Sequence, residues 1–284
     1  MKPAAFTYHA PQSVDEALEL LAGHGDDSKL LAGGQSLVPA MNFRLARPAV
    51  LIDINRIATL DFLASEDGLL RIGSLTRHVA FEKPLAGGPL GALLPRIARC
   101  VAHLPIRMRG TFAGSLAHAD PAAEWSLVAV TLGADIVARS TAGERTIPAD
   151  DFFRTAFMTA LRPDELIAEV RLPQPGDDWR CGFVEFSRRK GDFALAMALA
   201  AVRLEGERIV EARIGIGGAE HRPRRVEAAE RLVAGETVAA DLLAEAGAAV
   251  AAAVEPVEDI HGSAEYRRDL IRVMTRRALE GALR

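Results

Sequence analysis

The chain has 284 residues, 49% of them hydrophobic and 25% charged, which is the composition of an ordinary globular protein large enough for about two domains. Its formal net charge of −4 argues against nucleic acid or an acidic membrane surface as a partner. The two cysteines, Cys100 and Cys181, are too few and too far apart for a disulfide framework, and no segment reaches the roughly 18 uninterrupted apolar residues of a membrane-spanning helix.

The first half of the chain is predicted to mix short helices and strands. An amphipathic helix begins after Ser13, whose hydroxyl is a good cap for the acidic turn that follows. Two loops of small residues, 32–37 and 111–115, interrupt the apolar pattern. The other elements predicted from apolar periodicity are strands at residues 29–31, 50–54, 69–72, 135–139 and 166–172, and helices at residues 91–101 and 124–132.

The segment 173–178, which reads Pro-Gln-Pro-Gly-Asp-Asp, is the clearest linker and marks the predicted domain boundary. A hairpin turn is predicted at residues 205–207. The elements predicted after the linker are strands at residues 182–187, 196–204 and 209–216, and helices at residues 226–233, 242–254 and 264–283. Because strands and helices mix without regular β-α-β alternation, the predicted fold class is α+β.

Both small-residue loops have the chemistry to hold a pyrophosphate. Gly33 and Gly34 let the backbone approach a ligand closely, successive N–H groups form an anion-binding nest, and Ser36 adds a hydroxyl donor. A short helix predicted just after this loop directs its positive end toward it. Residues 111–115 repeat the arrangement with Thr, a small residue, Gly and Ser. Taken singly, each loop also fits a plain turn, and neither follows the Rossmann fingerprint.

Several longer stretches resemble the FAD-binding medium subunit of the xanthine dehydrogenase and carbon monoxide dehydrogenase family, the molybdenum hydroxylases. They occur in the family's order and together span nearly the whole chain. The matching stretches are residues 31–39, 51–54, 109–124, 187–194 and 264–268. One departure is Ala113, where the family usually has a second glycine.

The resemblance implies a two-domain fold. Residues 1–175 would form a vanillyl-alcohol-oxidase-type (PCMH-type) FAD-binding domain, with subdomains of about 1–57 and 58–175. Residues 179–284 would form the smaller flavoprotein C-terminal domain, a three-stranded antiparallel sheet with helices.

The loops and the resemblance together imply non-covalent FAD binding by a defined set of residues. These are Ala32, Gly33, Gly34, Gln35, Ser36, Leu37, Val101, Thr111, Ala113, Gly114, Ser115, Ala119, Asp120, Glu124, Leu161 and Phe193. Glu124, near the flavin in the family, equally fits an acidic residue that complements the dipole of its own helix. Asp120 also fits a turn-fixing role, and Val101 and Leu161 also fit core roles. Phe193 fits either a stack on the isoalloxazine or a place in the hydrophobic core.

The resemblance implies an oxidoreductase subunit that transfers electrons through FAD. Its partners would be a small [2Fe–2S] subunit and a large molybdopterin subunit, joined as a dimer of heterotrimers, with the molybdopterin and the iron–sulfur clusters in those partners only. No catalytic residue and no metal ligand is assigned to this chain. Because the N-terminus lacks the apolar core of a signal peptide, we expect a cytoplasmic protein.

Two other functions fit the sequence less closely. A stand-alone oxidase of the vanillyl-alcohol-oxidase superfamily would usually be longer, with a dedicated substrate domain. A flavin-free assembly subunit is suggested by Ala113 alone. The substrate of the complex and its terminal electron acceptor stay open, because in this family substrate specificity resides in the molybdenum subunit.

Overall fold

The computed structural model describes residues 2–85 and 87–283. Its first unit is a small sheet with two helices. The elements are β1 (Thr7–His9), α1 (Val14–His24), β2 (Ser28–Leu31), α2 (Leu37–Asn42) and β3 (Val50–Asp53). Ser13 caps α1 as predicted, since its Oγ accepts a hydrogen bond from the N–H of Glu16 at 3.1 Å.

The three strands of this unit are parallel and lie in the order β1-β3-β2. Leu31, the last residue of β2, pairs with Asp53, the last residue of β3. The carboxyl ends of both strands therefore lie at the same edge of the sheet, which is where ligands bind in open parallel sheets. The predicted loop 32–37 begins at this edge.

The second unit contains a five-stranded antiparallel sheet of order β4-β5-β10-β6-β7, which shares one hydrophobic core with α3, α5 and α6. Its elements are β4 (Leu63–Glu66), β5 (Leu69–Gly73), α3 (Gly88–Ala98), α4 (Leu104–Arg107), α5 (Phe112–His118), α6 (Glu124–Leu132), β6 (Asp135–Ser140), β7 (Gly143–Pro148), α7 (Ala149–Phe152), β8 (Phe153–Thr155), β9 (Met158–Thr159) and β10 (Leu166–Pro173). Trp125 of α6 is fully buried and packs against Phe81 and Phe112 with tilted rings, at centroid distances of 5.0 Å.

The third unit is an antiparallel sheet of order β11-β12-β13-β14 with three helices. Its elements are β11 (Trp179–Phe186), β12 (Ala196–Glu205), β13 (Arg208–Gly217), β14 (Arg224–Arg225), α8 (Glu227–Val233), α9 (Ala240–Ala253) and α10 (Ala264–Ala282). The predicted hairpin is confirmed, since Glu205 pairs with Arg208. The sheet has three long strands, as expected, and the two-residue β14 beside them.

Strand β12 is buried on both faces. Ala196, Ala198 and Ala200 pack with the helices of the third unit, whereas Met197 and Leu199 belong to the core of the second unit. This explains why the sequence of β12 reads as a continuous apolar run rather than an alternating one. The sheet therefore joins the second and third units through a hydrophobic contact.

The α+β class and every long element predicted from the sequence are confirmed, with ends that differ by a few residues. The prediction of a loop at residues 111–115 is wrong, because Phe112 begins α5. Thr111 is the cap of that helix, and its Oγ1 accepts a hydrogen bond from the N–H of Gly114 at 3.0 Å. Among the described residues, no helix is both long and apolar enough to cross a membrane.

Candidate dinucleotide-binding site

The loop after β2 packs directly on the segment that leads into α5. A Cβ built on Gly33 would lie 2.5 Å from both the carbonyl oxygen of Arg109 and the Cα of Gly110, so only glycine fits there. Gly34 has φ of 71°, in the left-handed region that favours glycine. The structure thus brings the two predicted small-residue segments together, although 73 residues lie between them in the sequence.

The backbone donors of this first loop are unused. In the part of the chain that the structure describes, the N–H groups of Gly33, Gly34, Gln35 and Ser36 have no hydrogen-bond acceptor; the first N–H to find one is that of Val38, which donates to the carbonyl of Gly34 at 3.0 Å. The hydroxyl of Ser36 makes no capping hydrogen bond to α2. Unpaired N–H groups at the start of a helix are the donors that phosphate oxygens accept from.

The second segment is a helical turn rather than a loop, and the N–H groups of Phe112 and Gly114 already donate within the protein, to the carbonyl of Thr76 and to Thr111 Oγ1, both at 3.0 Å. Ala113 is the second residue of α5, with helical backbone, and its side chain is buried in the core. The Cβ of Ala113 therefore carries no left-handed strain, and its departure from the family's glycine costs nothing in backbone conformation. Ser115 follows on the same turn.

Two residues that the sequence analysis missed tie the two segments together. Asn55 follows β3, and its side-chain amide donates to the carbonyl of Ala32 at 2.8 Å. The guanidinium of Arg77 donates to Asn55 Oδ1 at 2.6 Å and also to the carbonyl of Arg109. The available signal was a polar residue just past a buried parallel strand, where it must share an edge with the loop after β2.

A buried histidine packs against the start of the second segment. His78 packs against Gly110, where an added Cβ would lie 2.6 Å from His78 Nε2. The indole N–H of Trp125 donates to His78 Nδ1 at 2.9 Å. Burial lowers the pKa of His78 to about 4, helped by nearby arginines, so its ring is neutral at physiological pH and acts as an acceptor.

The chain between α5 and α6 makes a tight turn that is fixed locally. Ala119 is left-handed, with φ of 51°, and its carbonyl accepts a hydrogen bond from Phe157 N–H at 2.9 Å. Asp120 accepts from the N–H of Ala122 at 2.9 Å, as its turn-fixing role predicts. Glu124 is the first residue of α6. Burial raises its pKa, and the neighbouring carboxyl of Glu185 raises it further.

The remaining predicted site residues lie in two kinds of surroundings. Val101 is buried in the core of the second unit and Leu161 packs against that core, so both have the core contacts that were the alternative. Phe193 is 75% exposed, so it has no place in the hydrophobic core. Its loop, residues 187–195, joins β11 to β12.

The Phe193 loop is held against the second unit at its middle and near its C-terminal end. Gly191 has φ of 88°, and a Cβ there would lie 2.7 Å from the imidazole of His103. Near its C-terminal end, a Cβ on Gly218 would lie 2.9 Å from the carbonyl of Ala194, and Gly218 N–H donates to the carbonyl of Pro121 at 2.8 Å. The third unit therefore approaches the turn between α5 and α6.

The arrangement fits a dinucleotide. Two backbone segments in contact, one with four unused N–H groups and the other beginning a helix, can hold a pyrophosphate without a lysine or arginine. Within the described residues there is no group of three or more His, Cys, Asp and Glu side chains placed to hold a metal ion. Fold and site thus define an α+β protein of the dinucleotide-binding class.

Comparison with known proteins narrows this class to one family. Residues 4–175 match the family described as the FAD binding domain in molybdopterin dehydrogenase, and residues 182–282 match the CO dehydrogenase flavoprotein C-terminal domain. The chain belongs to this family of FAD-binding medium subunits of molybdenum hydroxylases, and it is therefore an oxidoreductase subunit.

Two relatives come from Paenarthrobacter nicotinovorans. The 6-hydroxypseudooxynicotine dehydrogenase complex subunit alpha is 42% identical over 284 residues, covering 100% of this chain and 96% of the relative. The nicotine 6-hydroxylase medium subunit is 38% identical over 279 residues and covers 98% of each. Among solved structures, a carbon monoxide dehydrogenase from Hydrogenophaga pseudoflava superimposes with a TM-score of 0.96 at 36% identity, covering 100% of this chain and 99% of the matched chain.

Proposed function

We propose that this chain is the FAD-carrying electron-transfer subunit of a molybdenum hydroxylase, receiving electrons from the [2Fe–2S] clusters of a small subunit and passing them to an external acceptor. Bound FAD supplies the redox chemistry, and the protein supplies binding, orientation and electrostatics. The observation that carries the proposal is the contact of Gly33 with Arg109 and Gly110 beside a row of unused N–H groups.

In this proposal the pyrophosphate lies between the two segments. The N–H groups of Gly33 to Ser36 donate to one side of it, and the first turn of α5 with Ser115 contacts the other. Asn55 and Arg77 hold the two segments at a fixed separation. Ala32, Gly34, Gln35, Leu37, Thr111, Ala113, Gly114 and Ala119 belong to the same segments and complete the proposed contact set.

The flavin end of the site is proposed to lie toward the Phe193 loop. An aromatic side chain that is 75% exposed on a loop anchored to the second unit offers a flat apolar face that nothing in the described chain covers. Asp120, Glu124, Val101 and Leu161 are the other proposed neighbours. The third unit thereby closes over a cofactor that the first two units anchor.

The experiment that tests this site is Gly33→Ala, with Gly23→Ala as the matched control. The added methyl at Gly33 meets backbone at 2.5 Å and must push the two segments apart, whereas at Gly23 in α1 a Cβ meets nothing within 4 Å. FAD affinity should fall about tenfold or more in Gly33→Ala, equivalent to about 1.4 kcal/mol, and stay at the parental value in Gly23→Ala. FAD titration of the folded apoprotein measures both affinities, and equal affinity in the two variants would contradict the proposed site.

The wider assembly follows from the same family. We propose a dimer of heterotrimers in the cytoplasm, with a small iron–sulfur subunit and a large molybdopterin subunit. We also propose that residues 1–175 are the FAD-binding domain, with subdomains of about 1–57 and 58–175, and that 179–284 is the C-terminal domain. The hydrophobic cluster that β12 forms with α8–α10 supports the C-terminal domain, whereas the cluster under α1 also includes Leu75, Leu166 and Ala168 of the second unit.

A further inference from the structure

Arg267 is a buried charged residue in the 264–268 motif, and the proposed function leaves its role open. It lies in the first turn of α10, and its side chain is 3% exposed. A guanidinium is rarely buried unless its N–H groups are hydrogen-bonded. What Arg267 contacts is therefore informative about why it is there.

The guanidinium of Arg267 bridges three separate parts of the third unit. Its Nη1 donates to the carbonyl of Leu195 at 2.9 Å and to the carbonyl of Gly218 at 2.8 Å. Its Nη2 donates to Asp259 Oδ2 at 2.7 Å. Asp259 is itself held by its own turn, since its Oδ1 accepts from the N–H of His261 at 2.8 Å.

Leu195 is the residue that closes the Phe193 loop. Its N–H donates to the carbonyl of Phe186, at the other end of the loop, at 2.8 Å. Its carbonyl accepts from Arg267. Both polar groups of Leu195 are thus fixed, and the path of residues 187–194 between them depends on where Leu195 is held.

Gly218 is the residue that links this network to the second unit. Its carbonyl accepts from Arg267, and its N–H donates to the carbonyl of Pro121 in the turn between α5 and α6. The guanidinium of Arg267 therefore fixes the position of Leu195, at the end of the Phe193 loop, relative to Gly218, which contacts Pro121 of the second unit.

We propose that Arg267 is a positioning residue that fixes the Phe193 loop relative to the turn at Pro121. Arginine suits this role because its planar fork can donate to two carbonyls and a carboxylate at once, whereas a lysine ammonium on a flexible stem would reach fewer of them in a fixed geometry. The consequence for the flavin rests on the proposed function, which puts Phe193 at the isoalloxazine.

Limited proteolysis of the full chain tests the positioning role, because Arg188, Arg189 and Lys190 make the loop a substrate for trypsin. The variants are Arg267→Lys, Arg267→Met and Asp259→Asn, with Arg268→Met, an exposed neighbour on the same helix, as the matched control. Cleavage of a folded protein follows the population in which a segment is locally open.

We expect cleavage within residues 188–190, identified by mass spectrometry, to be about tenfold faster in Arg267→Met, because hydrogen bonds from a charged donor to Leu195 and Gly218 are lost. Arg267→Lys should be intermediate, and Arg268→Met should match the parent. If Arg267→Met does not fold, Asp259→Asn decides the matter, because it removes the carboxylate partner and leaves the guanidinium in place. Parental cleavage in every folded variant of Arg267 and Asp259 would overturn the inference.

A second measurement separates this inference from the proposed function. The FAD dissociation constant and the flavin midpoint potential are compared in Arg267→Lys, Phe193→Ala and the parent. Both quantities should shift in the same direction in the two variants. Faster loop cleavage in Arg267→Lys together with unchanged flavin properties in Phe193→Ala would uphold the positioning role of Arg267 and overturn the proposed place of Phe193.

Discussion

Glu124 of α6 and Glu185 of β11 lie close enough to repel each other, and Oε2 of Glu185 is inaccessible to solvent with no hydrogen-bond partner among the described residues. Burial raises the pKa of both carboxyls, and for Glu124 the charge of Glu185 raises it further. The same surroundings raise the pKa of the Cys100 thiol to about 12, mainly through burial. This thiol is therefore neutral and unreactive at physiological pH.

The raised pKa of the pair gives a pH dependence with a definite sign. In the unfolded chain both carboxyls ionise at a pH of about 4.3. Between that pH and the raised pKa of the pair, the native state binds more protons than the unfolded state, so the free energy of unfolding falls as pH rises through this range. Glu185→Gln removes the part of this loss that comes from Glu185 itself and from its repulsion of Glu124. The melting temperature of the variant minus that of the parent should therefore rise between pH 5 and pH 8. For the control Glu19→Gln, on the exposed side of α1, this difference should not change with pH.

Taking the variant minus the parent isolates the pair, since His78 and His118 have lowered pKa values and act in the opposite direction over part of this range. Thermal melts of the FAD-free chain in buffers of matched ionic strength are the measurement. If the difference in melting temperature between Glu185→Gln and the parent is the same at pH 5 and pH 8, the pair is ionised in the folded protein and the prediction is wrong.

At the scale of elements, the contact of β11 with α10 depends on a glycine. A Cβ on Gly182 would lie 2.0 Å from the carbonyl of Ala278 and 2.6 Å from the N of Ala282, both backbone atoms of α10. Gly281 sits on the other side of the same contact, but a Cβ there would be 3.9 Å from the Cα of Gly182, which is ordinary van der Waals distance.

These two glycines therefore predict opposite effects of the same change. Gly182→Ala should lower the free energy of unfolding by about 3 kcal/mol or more, because the strand and the helix must separate. Gly281→Ala, inside a helix and with room for a methyl group, should raise it by about 0.5–1 kcal/mol. Denaturant melts of both variants measure the difference, and similar free energies of unfolding would mean that β11 and α10 are not in close contact.

At the scale of the whole molecule, the proposed assembly makes a prediction about the native protein. The chain holds a flavin site but no assigned catalytic residue, so it should purify from its source with iron, molybdenum and FAD in one complex. Size-exclusion chromatography with metal analysis of each fraction is the measurement. Recovery of full dehydrogenase activity from the isolated chain would contradict the heterotrimer.

Much of the fold was predictable because its long elements carry a strong local pattern. The helix Glu124–Leu132 and the strand Ala196–Glu205 were predicted to within a residue from apolar runs bounded by turn residues. The start of α5 was not, because Gly114 and Ser115 are typical of loops. The cap that Thr111 provides, together with burial of Phe112 and Leu116, favours a helix there.

The sequence by itself determined the fold class and the two small-residue segments, because glycine pairs, caps and apolar periodicity act through local backbone geometry. It indicated the family only through the resemblance of several stretches to known members. Only the tertiary structure decided that these segments touch at Gly33, that Asn55 and Arg77 hold them together, and that Arg267 joins Leu195 to Gly218. Such contacts join residues from about 20 to more than 70 positions apart. They depend on how sheets and helices pack against each other, and the sequence of one local segment does not determine that packing.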